Sequence, residues 1–327
     1  MKHYFVIACA LLFVASLLLF SFSSPSASHA DSSEIFVSTP YIPEKVDFAG
    51  EKVPLNLFDV RESFEREIIV NSNLHSATLQ NMKRVSRYFP AIETILKANG
   101  VPDDFKYLAL IESDFRNQIS PRGATGFWQF MKGAASDYNL EVNDEVDERY
   151  HVEKSTEAAC AYLKKAYNIF GNWTMAAASY NMGMRGLGNQ IKRQKCDYYY
   201  DMLLSEETMR YIFRIVAVKT ILNNPEKYGY SVSKEEKYLP IPYTEVSVKG
   251  AVESWADFAF EHGTNYKMLK LLNPWLRDAK LANPKQKTYI IKIPEQGFRG
   301  DTSHRIQNMK ADAIEESSRD EKIDISE

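Results

Sequence analysis

From Ser76 to Asn223 the chain keeps a helical spacing of apolar residues with almost no strand-like alternation, and that sustained period restricts this stretch to a helical fold. The pattern breaks at Gly100-Val101-Pro102, Ser120-Pro121-Arg122-Gly123, Gly171-Asn172 and Gly183. Glycine and proline end helices there, one by admitting positive φ and the other by lacking an amide proton. Helices are predicted near 77–98, 103–114, 127–138, 153–169, 173–182 and 206–223, which makes the chain mainly α.

The flanks differ from this centre. Residues 31–75 mix prolines, charges and scattered aromatics without sustained periodicity and read as an arm on the main domain, which spans 76–230. A second unit covers 240–297, with a strand at Thr244–Val248, helices at Ser254–His262 and Tyr266–Leu272, and a closing strand at Lys287–Ile293. Residues 298–327 carry many charges and few large apolar side chains, so a disordered tail is expected. At the other end Lys2 and His3 precede an apolar stretch from Tyr4 to Phe22 and the small residues before Ala30. This is the pattern of a signal peptide over residues 1–30, and the chain is expected to be exported to the periplasm or cell envelope. An uncleaved segment would instead hold the protein at a membrane. Cys9 has further apolar residues after it and is badly placed for lipidation, leaving Cys160 and Cys196, whose pairing the sequence leaves open.

A formal net charge of −3 provides no basic field, so nucleic acid is not an expected partner. Chemistry concentrates on the helix at 103–114. Phe105, Leu108, Ala109 and Glu112 share one face at i, i+3, i+4 and i+7, and Tyr107, Leu110 and Ile111 cover the other side. An ionisable group on such a helix is paired with an arginine, caps a neighbouring backbone, or is held protonated by burial. An unperturbed glutamate, with a pKa of about 4.3, has lost its proton at neutral pH. Holding the proton two pH units higher corresponds to about 2.7 kcal/mol against the charged form, which desolvation can provide. Glu112 is thereby the candidate general acid.

Beyond this helix follow Gly126-Phe127-Trp128-Gln129, then Ser179-Tyr180-Asn181, then Glu207-Thr208-Met209-Arg210-Tyr211. With Glu112-Ser113 these resemble, in order, the motifs of the family 1 lytic transglycosylases, most closely the membrane-bound lytic murein transglycosylase D branch. Phe127 stands where leucine or isoleucine is common, and Ser179 where alanine is common. The resemblance extends from Phe48-Ala49-Gly50 through Asp147-Glu148-Arg149 and Ser155-Thr156 to Tyr228-Gly229. It implies a lysozyme-like helical domain with a saccharide groove, one catalytic carboxylate at Glu112, no metal and no cofactor. Ser113, Phe127, Trp128, Gln129, Tyr180, Asn181 and Tyr211 are then expected to bind substrate, the glycan strands of peptidoglycan. Ser113 would partner the acid, Gln129 would meet an acetamido group, and the Tyr211 hydroxyl would approach the carboxylate. Each also has a plain structural reading, as core packing or a helix end.

The 240–297 unit resembles a degenerate LysM module of βααβ order. Its usual glycine-aspartate after the first strand is replaced by Lys249-Gly250-Ala251-Val252-Glu253, so packing on the catalytic domain is the alternative to glycan binding. Two other functions stand beside the transglycosylase reading: a goose-type muramidase, which hydrolyses, and a catalytically silent peptidoglycan-binding protein. A hydrolase needs a second carboxylate, for which Asp144, Glu145, Asp147 and Glu148 are the candidates. A solvated loop with Asp147–Arg149 contacts is the structural expectation for that cluster. The six histidines show no His-Glu-x-x-His spacing, and neither a Gly-x-Ser-x-Gly turn nor a phosphate loop is present.

Overall fold

The computed structural model describes residues 38–300. The expected signal segment with Cys9, the first residues of the arm, and all of the expected tail beyond residue 300 lie outside the described residues. Ten α-helices and two small antiparallel sheets are described, a mainly helical fold with a small α+β unit near its C-terminal end.

The arm carries more structure than its composition suggested. After a hairpin of β1 (Asp47–Phe48) and β2 (Glu51–Lys52), the sixteen-residue helix α1 (Phe58–Asn73) packs along α8 (Glu206–Asn223). Val60, Phe64 and Ile68, at i, i+4 and i+8, are its buried apolar face. Three apolar positions among many charges form a stripe too thin to stand out over 31–73, yet wide enough to cover one side of a neighbouring helix. Glu51 extends the hairpin's role, its carboxylate accepting the Trp173 and Thr174 amides at the start of α6 (Trp173–Met182).

Within the main domain α2 (His75–Ala98), α3 (Phe105–Ser113), α5 (Val152–Phe170), α6 and α8 lie close to expectation. The end of α2 shows why. Gly100 takes φ of +66°, its amide donates to Lys97 and the Val101 amide to Leu96, so a left-handed glycine satisfies the last carbonyls. At the centre lies α8, with Ile212, Ile215, Val216 and Ala217 fully buried.

Two elements depart from expectation. Instead of a helix over 127–138 there is a loop cross-bridged at Ile119–Thr125 and Thr125–Phe130, and only α4 (Lys132–Asp137) is helical. Gly126 and Gln129 both take positive φ, which a helix cannot accommodate. Conversely, α7 (Met184–Gln194) starts directly after Gly183, where no helix was predicted. Gly186 and Gly188 lower its intrinsic propensity, and Leu187 is its single buried residue.

The C-terminal unit pairs β3 (Tyr243–Val248) with β4 (Tyr289–Pro294) around α9 (Trp255–Glu261) and α10 (Tyr266–Leu272), the expected βααβ order. Val146 and Tyr150 of the main domain belong to its hydrophobic core, so the unit is docked through the 141–151 segment. Cys160 is buried, Cys196 is half-buried, and both are free thiols.

Candidate active site

Helix α3 is buried on almost every side, Phe105, Leu108 and Ala109 completely so, and its stripe delivers Glu112 one residue before the helix ends. The end itself is abrupt. Asp114 and Phe115 are both left-handed, with φ of 51° and 50°. Such geometry is uncommon in a bulky residue, and here the Phe115 ring is clamped against Tyr88, Phe89 and Phe127. The chain therefore leaves α3 sharply and turns into the 118–130 loop.

Glu112 is half-buried. Desolvation dominates its environment and pushes its carboxyl up to about 7, against opposing influences from the Tyr211 hydrogen bond and the Arg214 charge. The Tyr211 hydroxyl donates to Oε1 of Glu112 from 99 positions along the chain. Tyr211 is only 2% exposed, and burial followed by the Glu112 charge holds its own ionisation well above the ordinary tyrosine range. Arg214 donates to the Ile111 carbonyl, and no ion pair involves Glu112 among the described residues. The arginine pair that the sequence allowed is not formed, and desolvation favours the protonated carboxyl over the charged one.

The remaining sequence-predicted residues divide into two groups. Gln129 is half-buried, and its side-chain nitrogen donates to the carbonyls of Gly126 at 2.8 Å and Gln118 at 3.3 Å, so the amide oxygen remains to accept a donor. Asn181, also half-buried, accepts from Thr208 at 2.7 Å and donates to Glu207 at 3.3 Å. Tyr180 donates its hydroxyl to the Trp128 carbonyl at 2.7 Å. Burial, and then the Glu112 charge, raise its pKa well above the ordinary value.

Ser113, Phe127 and Trp128 are buried in the core. Trp128 is fully buried with its indole N–H donated to Thr156 at 2.9 Å, and Phe127 meets Tyr88 edge-on at 4.7 Å between ring centres. The Ser113 hydroxyl lies 3.0 Å from the Phe127 carbonyl and 3.3 Å from that of Ala109, with no bond to Glu112. It joins α3 to the loop. A glycine-rich run with aromatics reads alike whether its rings face a sugar or the interior, since the choice depends on which neighbours surround it.

Of the 144–148 carboxylates, Asp147 and Glu148 are buried and paired where a solvated loop was expected, and Asp144 is exposed. Asp147 holds Arg149 through two bonds of 2.9 and 2.7 Å, while Glu148 accepts the Glu141 amide and pairs with Lys154. The carboxylate that acts on Glu112 is instead the exposed Glu207, whose charge raises the Glu112 pKa further. Glu207, Tyr211 and Arg214 stand at i, i+4 and i+7 of α8, a spacing that puts them on one face and was the available sign. No group of three His, Cys, Asp or Glu is arranged to hold a metal ion among the described residues.

Residues 89–202 match the transglycosylase SLT domain family and residues 244–297 the soluble lytic transglycosylase C-terminal LysM-like domain family. The first match takes in Glu112, Gln129, Tyr180 and Asn181, while Glu207 and Tyr211 lie beyond it. Membrane-bound lytic murein transglycosylase D of Escherichia coli K12 is 25% identical over 243 residues, covering 72% of this chain and 52% of that protein. The protein of the same description from Escherichia coli O6:H1 matches equally. The chain thus spans about half the length of the curated relatives it matches. Glu112 lies in the stretch that matches the transglycosylase SLT domain, and the docked βααβ unit matches the LysM-like domain of the lytic transglycosylase type.

Proposed function

We propose that this protein is a lytic transglycosylase that cleaves the N-acetylmuramic acid–β-1,4–N-acetylglucosamine bond of peptidoglycan and leaves 1,6-anhydro ends. The observation that carries the reading is a carboxyl held up to about 7 by desolvation, with a tyrosine hydroxyl as partner in place of a cation. Such a group is protonated in a useful fraction near neutral pH and its conjugate base is equally accessible, as a residue acting first as acid and then as base requires.

In the first half of the reaction the Glu112 proton passes to the glycosidic oxygen as the C1–O bond breaks, and the substrate's acetamido group supports the cation at C1. Glu112 is now ionised, and the Tyr211 hydrogen bond stabilises that form. In the second half Glu112 takes the proton of the muramoyl C6 hydroxyl while that oxygen bonds to C1. The acid is restored and no water is consumed. The Gln129 amide oxygen and Asn181 offer polar contacts for the sugar. A wall substrate implies a location in the cell envelope, in keeping with the membrane-bound description of the relatives. Among the described residues no helix is long and apolar enough to cross a membrane.

Mass spectrometry of muropeptides released from peptidoglycan tests the proposal, with Glu112→Gln alongside. Anhydro products lighter by one water, absent with the variant, are expected. Reducing-end products would overturn it in favour of a muramidase, for which Glu207, and not the 144–148 cluster, is the second carboxylate. Retained binding with no product from either protein would favour a silent binder.

A further inference from the structure

The loop that carries Gln129 has no regular secondary structure, so its accuracy has to come from what it rests on. One support is Arg149. Its guanidinium, in a side chain about 10% exposed, donates to the carbonyls of Gly123 at 3.2 Å and Phe130 at 3.3 Å, one at each end of the Gly126–Gln129 turn. The rest of the fork is locked bidentately on Asp147, so it acts as a fixed strut rather than a flexible chain. The backbone makes a second contact. A Cβ on Gly126 would stand 1.9 Å from the Arg149 carbonyl oxygen, so the turn lies directly against residue 149.

The same segment is held from its other side by the C-terminal unit. The Asp147 amide donates to the Trp275 carbonyl at 2.9 Å and the Arg277 amide to the Glu145 carbonyl at 2.7 Å, with Val146 bridged to Leu276 between them. Val146 and Tyr150 complete that unit's apolar core, and Trp275 stacks on His151. Polar contacts frame the joint, with Tyr289 and Lys287 on Glu141 and Lys292 on Glu153.

We infer that the LysM-like domain is a brace for the substrate loop, and that Arg149 is the positioning residue through which it acts. The stack runs from the domain, through 145–151, to the 118–130 loop, and every joint in it is a named bond. The domain thereby contributes to turnover without holding a sugar, and its displacement would move Gln129. A misplacement of about 1 Å at a positioning group costs on the order of a hundredfold in rate. The inference rests on the proposed function, since it takes Gln129 as a sugar contact.

The test uses the full chain with Arg149→Lys, which keeps the charge but loses the fork, and with Trp275→Phe, which keeps an aromatic ring in the domain's core. Steady-state kinetics on short glycan fragments are paired with hydrogen exchange. For Arg149→Lys we expect KM to rise about tenfold with the pH limb set by Glu112 unmoved, and this penalty to fall below about twofold when Gln129→Ala is already present. Exchange at 118–130 should quicken in both variants, although Trp275 lies in the other domain. Unchanged exchange there in Trp275→Phe, or an equal Arg149→Lys penalty with and without Gln129, would overturn the brace. If Glu112→Gln keeps its activity the proposed function fails instead, whatever the exchange data show.

Discussion

One buried and one half-buried glutamate pack against α8, and consecutive residues of that helix answer them differently. Glu67, on α1 and 1% exposed, receives two bonds from the guanidinium of Arg210, at 2.6 and 3.3 Å. Glu112, on α3, receives the hydroxyl of Tyr211. Successive residues on a helix point about 100° apart, so one helix can serve two neighbours with opposite chemistry. Glu67 thus has a cation as its partner, whereas at Glu112 a neutral donor in a desolvated site leaves the proton close to balance. Burial alone does not distinguish a structural glutamate from a chemical one; the partner does.

The comparison yields four tests, taken from the largest expected effect down. Glu112→Gln keeps the shape and the acceptor for Tyr211 but has no proton to give, and turnover should fall by about 10²–10⁴-fold. Activity comparable to the parent would show that the distinction between the two glutamates has no catalytic meaning. The same variant should be more stable than the parent at pH 8. Between the ordinary carboxylate value of 4.5 and the folded value of about 7, the folded chain holds a proton that the unfolded chain has released. Raising the pH through that window therefore favours unfolding, by about 3 kcal/mol once above pH 7. Urea denaturation of both proteins should show this gap at pH 8 and none near pH 4. An equal gap at both pH values would mean that desolvation of the charge is not its source.

Glu67→Gln is expected to act in the opposite sense. Loss of the ion pair should destabilise the protein by about 2 kcal/mol at pH 7, with Arg210, a third exposed, partly compensated by water. Its pH–activity limb should stay with that of the parent; a shifted limb would show the two sites to be coupled. Tyr211→Phe comes last, with a loss of about tenfold in kcat. Because the Tyr211 bond lowers the Glu112 pKa, its removal should move the alkaline fall of activity to higher pH. A downward movement would contradict the role given to that hydroxyl.

Much of this was readable in advance. The Phe105–Glu112 stripe, the stop at Gly100 and the βααβ order are local or periodic, and local spacing is what a sequence displays. Less readable was α1, whose face of Val60, Phe64 and Ile68 is diluted by charge, and α7, whose glycines hide a helix held by one buried leucine. The Gly126–Gln129 turn misled in an instructive way. Its composition suggested a helix start, and the resemblance implied rings that meet a sugar, but with positive φ at Gly126 and Gln129 the chain forms a turn in which Phe127 and Trp128 are buried and Gln129 is half-buried.

The sequence by itself determined the helical class, the points where helices stop, and the presence of one carboxylate on an apolar stripe, because each follows from residues within a few turns of one another. Which partner each carboxylate meets was decided by tertiary structure alone. Glu112 meets Tyr211 across 99 positions, and Glu67 meets Arg210 across 143. The supports of the 118–130 loop belong to the same class, since Arg149 reaches Gly123 across 26 positions and the C-terminal domain pairs with Asp147 through Trp275. Proton affinity depends on the dielectric and the charges within a few ångströms, and only the folded chain determines which residues those are.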